Sequence, residues 1–174
     1  MARPSRRTEL LDAAVAVVRR DGAAALTLDA VAAAAGVSKG GVLYHFASKR
    51  ALIDGLLTRW LDDFEGKLSE PDLLASYVRA CDLPKSGPDY NAAEFGVLAA
   101  MIDEPAALAA TRVREAAWME RILAGATDPV DAWLVRLAAD GLWYSDLLGV
   151  APPQGDDRRR LIARLLALAA GGAR

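Results

Sequence analysis

Apolar residues recur along this chain at intervals of three and four, the period of helices with one buried face. Leu10, Leu11, Ala14, Val17 and Val18 share a face of a first predicted helix, about 6–20, with Ser5 as its N-cap and Gly22 past its last turn. A second helix is expected from Thr27, whose hydroxyl can cap the free N–H groups of Leu28 to Ala30, to a stop at Gly36. Ser38 caps a third over about 39–46, only two turns long. Ser48 caps a fourth that carries Leu52, Leu56, Trp60 and Phe64. Pro71 is placed to open a helix at its first turn, running to about residue 80. Residues 82–88 (Asp-Leu-Pro-Lys-Ser-Gly-Pro) read as a loop. Helical patterns follow over about 89–103, 105–124, 129–149 and 156–170, with Pro105 and Pro129 at two of the starts. No convincing strand or internal repeat interrupts them. The expected fold is all-α, about nine helices, in a small N-terminal bundle and a larger C-terminal one.

Composition supports this and adds an asymmetry. The chain has 174 residues, 53% hydrophobic and 25% charged, which is enough apolar material for a globular core. Residues 1–50 carry eight Lys/Arg against four Asp/Glu, whereas the rest carry 13 against 19. A basic head on an acidic body suits a DNA-binding module joined to a domain that does not bind DNA, although chance clustering gives the same count. Cys81 is the only cysteine and His45 the only histidine, so an intrachain disulfide and a multi-histidine or multi-cysteine metal site are excluded. No uncharged apolar run reaches the length of a membrane span, and Asp12 and Arg19 interrupt the segment where a signal peptide would lie. A cytoplasmic setting is expected. No nucleophile–base pair or phosphate-binding glycine loop points to an enzyme.

The segment 27–46 has the logic of a helix-turn-helix. Val31 and Ala35 are placed to point into the bundle, and small Ala32 admits a close helix crossing. Gly36 permits the turn and Val37 anchors it. The two-turn helix after Ser38 is of a size to enter a major groove. Gly40 and Gly41 leave its N-terminal backbone bare for close approach to a phosphate or base edge. Val42 and Phe46 are core positions, and Leu43 is open between packing and touching a thymine methyl.

Over residues 6–56 the chain resembles the DNA-binding domain of the TetR family of bacterial repressors. The resemblance rests on Ala35-Gly36-Val37-Ser38-Lys39-Gly40, then Tyr44-His45-Phe46 with Ser48-Lys49, then an apolar helix with Leu52. It implies a head over 1–50 and an effector-binding and dimerisation domain over 51–174. It implies that Thr27, Tyr44 and Lys49 hold phosphates, and that Ser38, Lys39, Gly40, Gly41 and His45 lie on or beside the recognition helix. Two positions depart from the family, which often has a polar residue at Gly41 and an aromatic at Leu43. Direct base readout is therefore expected to be sparse, with Lys39 the best candidate for guanine and DNA shape contributing. Arg3, Arg6 and Arg7 either reach the DNA or form a solvated tail.

The resemblance also implies a homodimer on a palindromic operator, held by the last two helices. Trp133, Leu137 and Leu148 on one and Leu161, Leu165 and Leu168 on the other give these helices more apolar surface than one face needs. A thick monomer core would use the same residues. The family's effector pocket lies among the middle helices. Candidate contacts for a small-molecule effector are Trp60, Phe64, Phe95, Met101, Trp118, Trp143 and Tyr144, each of which would serve equally as plain core. Glu94, Asp103, Asp140 and Asp146 lie on the same helices, and one pointing inward beside a Trp would favour a lipophilic cation. The implied mechanism is a population shift in which the fourth helix swings the heads to the wrong separation. A regulator of the same family without an effector is the other reading. No cofactor is expected.

Overall fold

The computed structural model describes residues 5–82, 108–148 and 150–171, and among them every regular element is helical. Of these residues, 5–62 and 108–113 belong to one compact unit, and 63–82, 114–148 and 150–171 to another.

The first unit begins with α1, Arg6–Asp21. The Ser5 hydroxyl accepts from the Thr8 N–H at its start, and the Gly22 N–H bonds back to the Val18 carbonyl at its end. A 3₁₀ turn over Ala23–Ala25 leads to α2, Leu28–Ala34, and then to α3, Lys39–His45. α1 packs on α2, and α2 on α3. The apolar period of the sequence becomes the core directly: Leu10, Leu11, Ala14, Val17, Val18, Leu26, Val31, Val42 and Phe46 are all buried. α4, Lys49–Glu65, starts with the Ser48 hydroxyl accepting from Ala51 N–H, and its stretch to Asp62 buries Leu52, Ile53, Leu56, Leu57 and Leu61 in this unit. Arg59 of α4 donates to Asp12 of α1 at 2.6 Å.

The second unit is organised around α5, Leu73–Cys81, which packs on α7 (Pro129–Leu148) and α8 (Gly155–Ala169). α6 is Ala109–Gly125, and its stretch from Arg114 belongs to this unit. Only Arg79 of α5 is exposed, so the helix is apolar almost all round, as a central helix must be. α5 starts later than the sequence suggests. Asp72 takes the cap position and its carbonyl accepts from Ser76 N–H, so Pro71 stands ahead of the helix rather than in its first turn. The buried Ser76 hydroxyl accepts from Ser69 N–H and donates to the Leu73 carbonyl, tying the preceding segment to the helix start. Near the other end of α5, Arg158 of α8 bridges Asp82 at 2.8 Å and Asp146 of α7 at 2.9 Å. The expected helix at 89–103 and the start at Pro105 lie outside the described residues. No helix among the described residues is long and apolar enough to cross a membrane.

Candidate nucleic-acid interface and effector region

Two capped helix starts build the head. The Thr27 hydroxyl accepts from Ala30 N–H and the Ser38 hydroxyl from Gly41 N–H, both at 3.1 Å. Between the two helices Gly36 adopts φ +64°, a left-handed conformation that glycine takes without strain. The Val37 N–H bonds back to the Ala32 carbonyl and closes the turn. Val42 and Phe46 turn inward on α3. What remains outward is Lys39, Gly40, Gly41, Leu43 and Tyr44.

Tyr44 is 86% exposed, its ring edge-on to the half-buried His45 at 5.0 Å between centroids. An aromatic ring held out so far has no packing role in the head. Ser38, Gly41, Tyr44 and His45 line one shallow groove with Arg6 and Gly36. Thr27 is exposed at the start of α2, and Lys49 is half-buried at the start of α4. A Cβ on Gly40 would come no closer than 3.8 Å to the described protein, and one on Gly41 no closer than 3.6 Å. Both are ordinary contact distances, so the bareness of this helix is not imposed by the packing of the head. Leu43, open in the sequence, is exposed. Lys39 Nζ donates to Asp29 Oδ2 at 2.9 Å across the two helices. Asp29 escaped the sequence reading, because nothing in its spacing singles it out.

In the second unit a polar network crosses α5, α6 and α7. Tyr77 O–H donates to Asp140 Oδ1 at 2.6 Å, Arg136 Nε lies 3.0 Å from Asp140 Oδ2, and Arg136 donates to Glu115 Oε2 at 2.7 Å. Burial raises the Asp140 carboxyl above its ordinary range, against the opposing pull of the Tyr77 hydrogen bond and Arg136. Burial likewise raises Glu115, again opposed by Arg136. Burial first and Asp140 second push up both the Tyr77 hydroxyl and the Cys81 thiol. Glu115 and Arg136 were also missed: only the four-residue spacing of Arg136 and Asp140 hints at the network.

The aromatic candidates divide. Phe64 stacks on Trp118 at 5.2 Å and meets Tyr77 edge-on at 5.1 Å, all three being buried. Tyr77, Glu115, Trp118, Met119, Ile122 and Arg136 close around a gap too small to hold a water molecule. Trp143 and Tyr144 form a separate edge-on pair at 4.8 Å, with Tyr144 exposed, and Trp60 is half-buried in the first unit. Phe95, Met101, Glu94 and Asp103 lie outside the described residues. Asp146 is held by Arg158 at 2.9 Å.

Of the interface candidates, Trp133 and Leu137 are exposed on α7, in one stripe with Val130 and Leu134. Leu161 and Leu168 are half-buried on α8. Leu165 is 5% exposed and faces the protomer's own core, so that side chain is not available to a partner. The Leu148 side chain lies outside the described part.

Comparison with known proteins gives a consistent picture. Residues 10–56 match the family described as bacterial regulatory proteins, tetR family, and residues 71–170 the tetracyclin repressor-like C-terminal domain. The HTH-type transcriptional repressor KstR2 of Rhodococcus jostii is 43% identical over 65 residues, 37% of this chain and 32% of that protein. The match thus spans about a third of the length of that relative. A solved TetR-family member from Streptomyces coelicolor is 30% identical, with a TM-score of 0.68 over 93% of this chain and 98% of that one. The multidrug binding protein EbrR, solved in complex with ethidium, is also 30% identical, with a TM-score of 0.63 over 94% and 99%. A further complex of EbrR, with malachite green, is similar at 27% identity, a TM-score of 0.65 and coverage of 93% and 98%. This chain belongs to the TetR family of bacterial regulatory proteins and is a DNA-binding transcriptional regulator.

Proposed function

We propose that the chain is a cytoplasmic repressor whose homodimer grips a palindromic operator through its helix-turn-helix heads and releases it when a small lipophilic molecule binds the body. The head spans residues 1–50 and the effector and dimerisation domain 51–174. The observation that carries this is the outward face of α3: exposed Tyr44 and bare Gly40 and Gly41 around a capped helix start. Free backbone N–H groups at such a start attract phosphate. Thr27, Tyr44 and Lys49 then hold phosphates, while Ser38, Lys39, Gly40, Gly41 and His45 face the groove.

The effector reading is supported by the relatives solved with ethidium and with malachite green. It is supported also by Glu115 and Asp140, two carboxylates on one guanidinium beside Tyr77 and Trp118. That cluster carries one net negative charge when ionised and favours an aromatic cation over an anion. Bound effector shifts the population toward a form in which α4 carries the heads out of register with the operator.

Footprinting on DNA flanking the gene tests the first half. Protection of a palindrome with half-sites one helical turn apart is expected; equal affinity for a scrambled duplex would overturn it. Malachite green titrated into the complex tests the second. Release is expected; retention of the DNA with that dye and other lipophilic cations would favour a regulator of the same family without an effector.

A further inference from the structure

The recognition helix offers few groups to a base edge, so whatever aims Lys39 governs what the head reads. We infer that Asp29 is a specificity-determining positioning residue that holds the Lys39 ammonium toward a guanine and away from the phosphates. The inference rests on the DNA-binding reading above.

Asp29 lies in the first turn of α2 and Lys39 opens α3, ten residues later. Their 2.9 Å ion pair joins two helix starts, and Thr27 and Tyr44 on the same two helix segments are exposed as well. Both side chains are more than half exposed. Such a pair adds little to folding. A carboxylate in the first turn does favour the helix dipole. On a surface meant for DNA, however, it repels phosphate, and that repulsion needs a return.

The return is in donor geometry. A Lys ammonium has three N–H donors on a flexible stem. One donor on Asp29 leaves two, and guanine presents two acceptors, O6 and N7, in the major groove. A phosphate approaching the same ammonium meets the Asp29 charge; the neutral guanine edge does not. Asp29 therefore biases Lys39 toward a base and withholds it from duplex of arbitrary sequence. Gly40 and Gly41, the next two residues, carry no side chain that could take over the contact.

The test uses the full chain, its protected palindrome and a scrambled duplex of equal length, with anisotropy read over a range of salt. Asp29→Asn is expected to bind the scrambled duplex more tightly. Its salt slope should steepen by about 0.9, as Lys39 gains a phosphate. Its preference for the palindrome should fall about tenfold, the size of one base contact. Asp29→Glu, which keeps the charge, should retain most of the preference. In a Lys39→Ala background, Asp29→Asn should no longer change the preference. A charge-only role would overturn the inference: Asp29→Asn would then tighten both duplexes equally. The same loss of preference with and without Lys39 would overturn it too. Wild-type protein that ignores the palindrome would overturn the DNA reading itself, and the inference with it.

Discussion

Gly55 lies so close to Phe46 that a Cβ at position 55 would stand 2.8 Å from the ring edge at Cε1. The same Cβ would meet an Arg7 guanidinium nitrogen at 3.1 Å and Leu11 Cδ2 at 3.3 Å. Phe46 is 1% exposed, and the Arg7 guanidinium covers its face at 5.0 Å from the centroid, so the ring has nowhere to go. This seam sets how closely α4 lies on the head. Gly55→Ala should gain about 1 kcal/mol of helix propensity and lose about 1–3 kcal/mol to overpacking. We expect net destabilisation, read as a lower urea midpoint with an unchanged m-value. Phe46→Leu in the Gly55→Ala background should recover part of the loss. An unchanged or higher midpoint for Gly55→Ala alone would refute the seam.

The exposed stripe on α7 gives a prediction about assembly. Leu137 is 55% exposed beside Trp133 and Leu134, so a charge there breaks no contact of the protomer's own core. Leu137→Glu should leave the circular dichroism spectrum intact and convert the protein to monomers by sedimentation. Affinity for the palindrome should drop by about 100-fold or more, because the second head is no longer tethered. Leu165→Ala is the contrasting change. It opens a cavity in the protomer and should cost about 2–5 kcal/mol of stability. Sedimentation of Leu137→Glu as a dimer would move the interface elsewhere.

The sequence was most legible where interactions are local. The hydroxyls of Ser5, Thr27, Ser38 and Ser48 each cap a backbone N–H three residues on, a relation that spacing alone reveals. Val42 and Phe46 could be placed inside from the helical period. Asp29 and Lys39 meet only because two helices cross at a given angle, and Tyr77 reaches Asp140 across 63 residues of chain. No spacing rule holds such pairs. Leu165 shows another limit: periodicity marks a side chain as apolar but does not say whether its own core or a partner covers it. Pro71 satisfied the rule for a helix start, yet Ser76 ties down the chain ahead of it and Asp72 takes the cap.

Cys81 should behave as a silent thiol. It is buried on α5, and burial followed by the Asp140 charge keeps it protonated. Reaction with a disulfide reagent requires thiolate and access. Native protein is expected to leave Cys81 unlabelled over hours at neutral pH, and unfolding in urea to release one thiol per chain at once. Fast labelling of native protein would place Cys81 in an accessible site.

The network around Arg136 makes stability depend on pH in a direction opposite to the usual one. Asp140 and Glu115 are both raised, first by burial, above their ordinary values of 3.8 and 4.5. The folded chain then binds these protons more tightly than the unfolded chain does. Their contribution to stability grows as pH falls from neutral through the raised values, and is complete below the ordinary ones. Glu65 works the other way. Its hydrogen bond from Arg114 lowers it, so its stabilisation is present above 4.5 and is lost as pH falls through the lowered value. The two effects separate by mutation. Against wild type, Asp140→Asn with Glu115→Gln should lose the rise in stability in the window above 4.5, while the acid-side loss from Glu65 persists. Tyr77→Phe should widen the window, because it removes the hydrogen bond that pulls Asp140 down. Urea midpoints measured at intervals from neutral pH to the ordinary carboxylate range would show this as parallel or diverging curves. A wild type that only loses stability across that window, in parallel with the double variant, would mean that Arg136 fully offsets the burial of both carboxylates.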